Sequence, residues 1–284
     1  MPDLLAALLL GIIEGVTEFL PISSTGHLLI AQHWLGARSD LFNIAIQAGA
    51  ILAVVVIYRQ RLWGLLNAFA GRDRPAPFDP LGVDITPAQW RTYAYKLGFA
   101  FAVTAVLGLL VKQLGFELPE TVTPIAWALI IGAAWMLLAE HWAARRALIL
   151  GERTHITWTA AMVVGIAQVV AGVFPGTSRS AATIFVALLV GVTNRAAATE
   201  FAFLVGIPTM FAATAYELAG VVGTPAAATE DWAALGVAFV ASGVTAFIAV
   251  KWLLGYIQTH RFTAFAYYRF ALGGALLLLL PSGD

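Results

Sequence analysis

Carboxylate, hydroxyl and imidazole groups interrupt an apolar N-terminal stretch. Glu14 and Glu18 are four residues apart in GIIEGVTEF, residues 11–19, and PISSTGH follows at residues 21–27. A spacing of four places both carboxylates on one face of a helix. There the like charges repel each other, and burial adds a desolvation cost. A divalent cation, a basic partner or a retained proton must offset this cost, unless the helix is interfacial and both carboxylates are hydrated.

The PISSTGH break supplies groups that could take part in acid–base or nucleophilic chemistry. Ser23, Ser24 and Thr25 precede His27. These hydroxyls suit the capping of a following helix, and capping is compatible with catalysis. A lone histidine is more often structural, but His27 lies close to two carboxylates and several hydroxyls. It is therefore a candidate acid, base or nucleophile.

A second polar break carries a fixed positive charge. In PGTSRSAAT, residues 175–183, Arg179 lies between Ser178 and Ser180. A guanidinium binds phosphate in a bidentate manner, and the N–H groups at a helix N-terminus favour anions. The pattern predicts that Arg179 binds a phosphate whose metal counterion lies on Glu14 and Glu18. A structural ion pair between Arg179 and Glu18 is the alternative.

The composition places these groups in a membrane. The 284 residues are 60% hydrophobic and 11% charged, and equal numbers of basic and acidic residues give no indication of nucleic-acid binding. There is no cysteine, which excludes disulfides and thiolate chemistry. A bilayer-spanning helix needs about 20 apolar residues. Six segments qualify: 41–58, 92–113, 122–143, 199–219, 232–254 and 264–280.

Two further apolar regions, 3–36 and 156–191, each contain one polar break. Broken helices are tolerated at membrane depth where protein or a water-filled cavity surrounds them, so both regions are predicted to be re-entrant hairpins. The breaks align at an offset of 154: Glu14 on Gln168, Ser24 on Ser178 and Thr25 on Arg179. Three spans follow each hairpin. We therefore expect one all-α polytopic domain, 1–284, made of two inverted-topology repeats, about 1–150 and 151–284.

The distribution of basic residues gives the orientation. The loops and helix ends on the side opposite the N-terminus contain thirteen basic residues, including Lys96, Arg195 and Arg269, and the N-terminal side has only Arg38 and Lys112. Because basic residues stay in the cytoplasm, we expect both termini and the first hairpin to face outward. The second hairpin enters from the cytoplasmic side, and the two tips meet inside the membrane.

At these motifs the chain resembles the undecaprenyl-diphosphatase, or bacitracin-resistance, family. EGVTEFLPISSTGH and PGTSRSAAT match the two family signatures in the expected order, and the resemblance covers essentially the whole chain. It implies removal of the terminal phosphate of undecaprenyl diphosphate, which regenerates the lipid carrier for cell-wall synthesis. It also implies an outward-facing site in the bacterial cell membrane and a divalent cation, Mg²⁺ or Ca²⁺. The sequence leaves the oligomeric state open, with a homodimer as one candidate.

The resemblance also implies roles for individual residues. Glu14 and Glu18 take the metal-binding and acid–base roles, and Arg179 binds phosphate together with the neighbouring hydroxyls of Ser23, Thr25, Ser178 and Ser180. Ser24 and His27 are both candidate nucleophiles, of which we favour Ser24. The motif does not choose between them.

Three other functions fit the sequence less well. Inverted repeats suit a transporter or flippase of a polyprenyl phosphate, but the aligned breaks carry different residues, as an active site would. A phosphatase of the acid-phosphatase-like class needs a histidine soon after its Ser-Arg pair, and none follows Arg179 until His260. A purely structural scaffold would leave both polar clusters unexplained.

Overall fold

The structure is a computed structural model that describes residues 3–72, 86–115, 121–224 and 230–279, and within these ranges all regular secondary structure is helical. The helices are α1 (Asp3–Thr17), α2 (Ser24–Leu35), α3 (Asp40–Ile57), α4 (Arg59–Phe69), α5 (Pro87–Gln113), α6 (Val122–Leu150), α7 (Trp158–Val173), α8 (Arg179–Leu189), α9 (Arg195–Val221), α10 (Trp232–Thr259) and α11 (Thr263–Leu279).

Within the described residues, five helices are long and apolar enough to cross a membrane, and they correspond to five of the six predicted spans: α3, α5, α6, α9 and α10. The sixth predicted span, 264–280, corresponds to α11, a shorter apolar helix of 17 residues. The chain is therefore a multi-span helical membrane protein.

Both regions with a polar break form helical hairpins. The ends of the α1–α2 hairpin lie together, because Arg38 Nη2 bonds to Asp3 Oδ1 at 2.6 Å. The ends of the α7–α8 hairpin also meet, since Thr193 Oγ1 accepts from Arg153 N at 2.7 Å. Each hairpin therefore returns to the end of the helix bundle from which it starts.

Side-chain contacts sort the loops into two ends of the bundle. At the end where Asp3 lies, Ser39 Oγ donates to Glu230 at 2.6 Å. At the other end, Arg195 forms a bidentate pair with Glu140, and Lys96 Nζ donates to the Ile156 carbonyl at 2.6 Å.

One basic residue was assigned wrongly to the cytoplasmic side. Arg269 has no solvent exposure and hydrogen-bonds to both polar breaks in the interior. Arg74, another of the thirteen basic residues assigned to that side, lies outside the described residues. Eleven of the thirteen can therefore still be compared with the structure. They still outnumber Arg38 and Lys112, so the asymmetry remains.

Each hairpin packs its first helix against a long helix from the other half of the chain: α1 contacts α10, and α7 contacts α5. Glycines make this approach possible. A Cβ atom at Gly11 would lie 2.3 Å from the Ala238 carbonyl oxygen, and one at Gly165 would lie 2.6 Å from the Ala100 carbonyl oxygen. Small residues let membrane helices approach at backbone distance, so these contacts lock the two halves together.

Helix α4 was not predicted from the sequence. It follows α3 directly and exposes three large apolar side chains, Trp63, Leu66 and Phe69, beside Arg59. Its spacing of exposed apolar residues by three is a helical signal, but the segment is too short and too polar to resemble a span. An apolar face flanked by basic residues suits the membrane interface.

Candidate active site

The two breaks have the same backbone geometry at the residue that caps the following helix. Ser23 has φ 73° and ψ 99°, and Ser178 has φ 69° and ψ 116°. They are the only non-glycine residues with positive φ in the described ranges, a conformation that costs energy for a residue with a Cβ atom. Each side chain accepts a backbone N–H of the following helix, from Gly26 and Ala181 respectively.

This shared geometry corrects the predicted alignment by one residue. Ser23 and Ser178 are 155 residues apart, so beyond the breaks Ser23 corresponds to Ser178 and Ser24 to Arg179. The predicted pairing of Ser24 with Ser178 and of Thr25 with Arg179 is wrong at these helix starts. The first break contains one residue fewer before its cap than an offset of 154 requires.

Glu14 is a fully buried carboxylate. It has no solvent exposure, and neither of its side-chain oxygens has a hydrogen-bond partner among the described residues. The Glu18 N–H bonds to the Glu14 carbonyl at 2.9 Å, so the two residues lie one helical turn apart. The Glu14 carboxyl interacts electrostatically with both Glu18 and Arg179. A buried carboxylate without a donor needs a cation or a proton.

Ser24 and Glu18 are directly connected. The Ser24 hydroxyl, at the first position of α2, donates a short hydrogen bond to Glu18 Oε2. Ser24 is buried and Glu18 is half-buried. A serine hydroxyl bonded to a carboxylate is the arrangement in which the carboxylate can remove the hydroxyl proton.

Both ring nitrogens of His27 have partners. Nδ1 lies 2.7 Å from the Ser23 carbonyl oxygen, and Nε2 lies 2.6 Å from the Tyr268 hydroxyl. A carbonyl oxygen can only accept, so Nδ1 carries the proton and Nε2 accepts from the tyrosine. The two rings also stack with centroids 5.6 Å apart. The Ser23 carbonyl therefore fixes the tautomer of His27, and Tyr268 of α11 helps to fix the orientation of its ring.

The second break meets the first through Ser180. Its hydroxyl donates to the Leu20 carbonyl at 3.0 Å and lies 3.0 Å from the Ser178 hydroxyl. Arg179 is half-buried, and within the described part of the chain its guanidinium makes no hydrogen bond or ion pair. The alternative ion pair with Glu18 is therefore absent there. The positive charge lies at a helix N-terminus and remains available for an anion.

Arg269 of α11 joins both breaks to α6. Its guanidinium donates to the carbonyls of Pro21 at 3.4 Å, Gly176 at 3.1 Å and Thr177 at 3.1 Å. Further bonds reach the α6 carbonyls of Ala128 and Leu129, at 3.0 and 3.2 Å. Carbonyls left free by broken helices thus find donors from a single buried cation.

The structure brings most of the predicted site residues into one connected cluster. Hydrogen bonds and charge interactions link Glu14, Glu18, Ser23, Ser24, His27, Ser178, Arg179 and Ser180. Thr25 is exposed beside this cluster, and its side chain has no hydrogen-bond partner within the described residues. Sequence reasoning missed Tyr268 and Arg269. An ionisable residue inside an apolar segment was the available signal.

Fold and cluster together define a multi-span helical membrane protein with a polar site between two hairpin tips. Residues 7–275 match the model of the family described as bacitracin resistance protein BacA, and the chain belongs to that family. An undecaprenyl-diphosphatase of Stenotrophomonas maltophilia (strain K279a) is 64% identical over 284 residues, the full length of both chains. A protein of the same name from Xanthomonas axonopodis pv. citri (strain 306) is 57% identical over 282 residues, 99% of each chain.

Proposed function

We propose that the protein hydrolyses undecaprenyl diphosphate to undecaprenyl phosphate and inorganic phosphate, and so recycles the lipid carrier of cell-wall synthesis. The observation that carries this proposal is the convergence of the two hairpin tips. One tip supplies a serine bonded to a carboxylate, and the other supplies an arginine that has no hydrogen bond or ion pair in the described part of the chain. Full-length relatives at 57–64% identity are named undecaprenyl-diphosphatase.

Arg179 binds the terminal phosphate of the substrate in this proposal. Phosphoryl transfer depends mostly on positioning and on neutralising the charge of the phosphoryl oxygens. A guanidinium at the first position of α8 provides two parallel N–H donors and a full positive charge. The hydroxyls of Ser23, Thr25, Ser178 and Ser180 surround the same tips and are further candidate phosphate ligands.

Ser24 is the better placed of the two candidate nucleophiles. Its hydroxyl is already bonded to Glu18, whereas the His27 nitrogen without a proton accepts from Tyr268. Glu18 takes the hydroxyl proton as Ser24 Oγ bonds to the terminal phosphorus, and the bridging P–O bond breaks to release undecaprenyl phosphate. Water then attacks the phosphoserine, and a proton returns to Oγ as phosphate leaves. His27 orients the break through the Ser23 carbonyl.

We expect a substrate with a radiolabelled terminal phosphate to leave acid-stable label on Ser24 after rapid quenching. Phosphoserine survives acid, whereas phosphohistidine does not. Ser24→Ala is expected to lose both the label and the activity, and His27→Gln to keep the label at a lower rate. Ser39→Ala, at the end of the bundle, serves as the matched control. Acid-labile label that persists in Ser24→Ala would identify His27 as the nucleophile.

The carboxylates of Glu14, which is buried, and Glu18, which is half-buried, fit a divalent cation, Mg²⁺ or Ca²⁺. The Glu14 oxygens have no hydrogen-bond partner among the described residues, and the like charge of Glu18 adds to the cost of their burial. No group of three acidic or histidine residues forms a metal site in the described ranges. Mg²⁺ is commonly held by one or two carboxylates together with substrate phosphates, so Glu14 and Glu18 suffice. When bound, the cation would neutralise phosphate charge.

The double variant Glu14→Gln, Glu18→Gln is expected to lose its response to Mg²⁺. In the wild type, we expect Mg²⁺ both to stimulate phosphate release and to raise the melting temperature, because a ligand that binds only the folded state stabilises it. Thermal unfolding in detergent over a Mg²⁺ titration measures the second effect without activity. Glu152→Gln, at a loop, is the control. A melting temperature that still rises with Mg²⁺ in the double variant would remove the pair as the metal site.

The site also has an orientation in the membrane under this proposal. The matching caps, the reciprocal packing of α1 on α10 and α7 on α5, and the hairpins that return to opposite ends support two inverted repeats within one domain. The excess of basic residues at the end opposite Asp3 supports an inner-membrane protein with both termini and the site facing outward.

Cysteine accessibility at residue 3 in intact cells tests the orientation, and cross-linking in membranes tests a homodimer.

A transport function is tested by the same purified protein. Phosphate release from undecaprenyl diphosphate in detergent with Mg²⁺ or Ca²⁺, where no membrane separates two compartments, is expected for the enzyme. The two tips differ in chemistry at corresponding positions, with Ser24 opposite Arg179, which favours a reaction site over a symmetric pathway. Absence of phosphate release under these conditions would contradict the proposal and leave the flippase alternative.

A further inference from the structure

An apolar cavity of about 510 Å³ lies between α6 and α7, with α8 as its floor. Its walls include Trp127 and Ile131 from α6 and Ile166 and Val170 from α7, and its floor includes Ala181 and Ala182. The small side chains of these two alanines leave the space between the walls open, and Val186 continues the floor along α8. The cavity runs from Val163 to Phe174 on α7, which is about 17 Å at 1.5 Å per residue.

The inner end of this cavity is the turn that carries Arg179. Thr177 and Ala181 both line the cavity. Thr177 precedes the Ser178 cap, and its carbonyl accepts from Arg269. The Ala181 N–H bonds to the Ser178 hydroxyl. The groove is therefore continuous with the backbone that forms the phosphate side of the site.

The cavity opens sideways, toward the apolar surface of the helix bundle. Ile131 on one wall is 65% exposed and Phe174 on the other is 55% exposed. These side chains belong to a candidate membrane span and to the second hairpin, so hydrocarbon surrounds the opening. If the polar head of a lipid lies between the hairpin tips, its apolar tail can extend along this groove into the bilayer without crossing a polar region.

We propose that this groove binds the head-proximal isoprene units of the prenyl diphosphate substrate, an inference that rests on the proposed function. The occupant follows from the chemistry of the two ends, an anion-binding turn continuous with an apolar channel open to lipid. The groove is too short for a long prenyl chain, so the distal units lie in the bilayer. Bilayer acyl chains are the competing occupant, and they have no diphosphate to anchor them at Arg179.

The assignment is tested by narrowing the groove with a bulky side chain and measuring kcat/KM for substrates of different prenyl chain length. Val170→Trp fills the groove from an exposed wall position, and Ile166→Trp does so one turn further from the break. For Val170→Trp we expect kcat/KM to fall about tenfold or more with farnesyl and undecaprenyl diphosphates, as changes in apolar pockets typically give, through a higher KM. With dimethylallyl diphosphate, which has a single isoprene unit, kcat/KM is expected to stay within about twofold. For Ile166→Trp, whose substituted position lies further from the break, we expect kcat/KM for the shorter substrates to fall less than it does for Val170→Trp.

Val240→Trp, at an exposed position of α10 outside the groove, is the matched control and is expected to behave like the wild type with every substrate. An equal fall with all three substrates, or none with undecaprenyl diphosphate, would overturn the groove assignment. Photolabelling with a diazirine-tagged farnesyl phosphate gives an independent reading. Label on α6 and α7 that undecaprenyl phosphate displaces, and phosphatidylglycerol does not, supports the assignment. A wild type without phosphate release overturns the proposed function instead, and is recognised before any variant is compared.

Discussion

Arg179→Ala is expected to lower the rate of phosphate release by on the order of 10³-fold, the low end of the range for an arginine that stabilises a transferring phosphoryl group. The guanidinium has no hydrogen bond or ion pair within the described residues, so its removal breaks no such contact there. We therefore expect the melting temperature in detergent to change little, as for most partly exposed positions. Loss of activity with unchanged stability would separate a binding role from a structural one.

Arg179→Lys refines this prediction. Lysine keeps the charge and loses the bidentate geometry, so we expect it to recover part of the activity, mainly by lowering KM relative to alanine. Arg153→Ala, which removes an equal charge from an exposed loop, is the matched control and is expected to keep full activity. Near-wild-type phosphate release from Arg179→Ala would show that the second break does not bind the reacting phosphate.

The second large effect is expected at Arg269, where stability rather than chemistry is lost. Arg269→Met removes the donor from three carbonyls at the breaks, Pro21, Gly176 and Thr177. It also removes a second donor from the carbonyls of Ala128 and Leu129, which accept within α6 as well. An unsatisfied buried group costs about 1–3 kcal/mol. Because such costs are not additive, we expect a loss of on the order of 4 kcal/mol or more, in the range of a broken buried network. Thermal unfolding in detergent measures it.

Arg269→Lys separates the fold from the site. A lysine ammonium is a single point with three donors, so it cannot reach all five carbonyls at once. We expect this variant to fold with a lowered melting temperature and to hydrolyse substrate slowly, since the two tips are no longer tied together. Arg146→Met, which removes an arginine bonded to the single carbonyl of Leu189, is the control. A melting temperature as high in Arg269→Met as in Arg146→Met would contradict the role of Arg269.

The sequence predicted features that are marked by neighbouring residue types, and it missed contacts to backbone atoms or to distant residues. The hairpins and most of the site could be predicted because prolines, glycines and hydroxyls mark each break within a few residues. Arg269 could not be placed, because its partners are backbone carbonyls, which every residue has. Tyr268 was missed for a related reason, since its contact with His27 joins residues 241 positions apart.

The shift in alignment has a local physical cause. The sequence alignment at an offset of 154 matches Ser24 to Ser178. In the structure, Ser23 and Ser178 are the equivalent residues, because both turn the chain at positive φ. A positive φ is often marked in a sequence by glycine. Serine gives no such mark, so the sequence did not show which serine turns the chain. Helix α4 was missed because an interfacial helix is neither apolar enough for a span nor polar enough for a loop.

The position of Arg269 and Tyr268 in the last helix has a consequence for biosynthesis. The ribosome adds about 5–20 residues per second, so the 242 residues from His27 to Arg269 take about 12 to 50 seconds to translate. Throughout that interval the first hairpin lacks the Arg269 donor for its Pro21 carbonyl and the Tyr268 hydroxyl for His27. A nascent chain that stops before residue 268 contains both signature motifs but lacks the two residues of α11 that hydrogen-bond to them. We therefore expect catalytic competence only after α11 has left the ribosome.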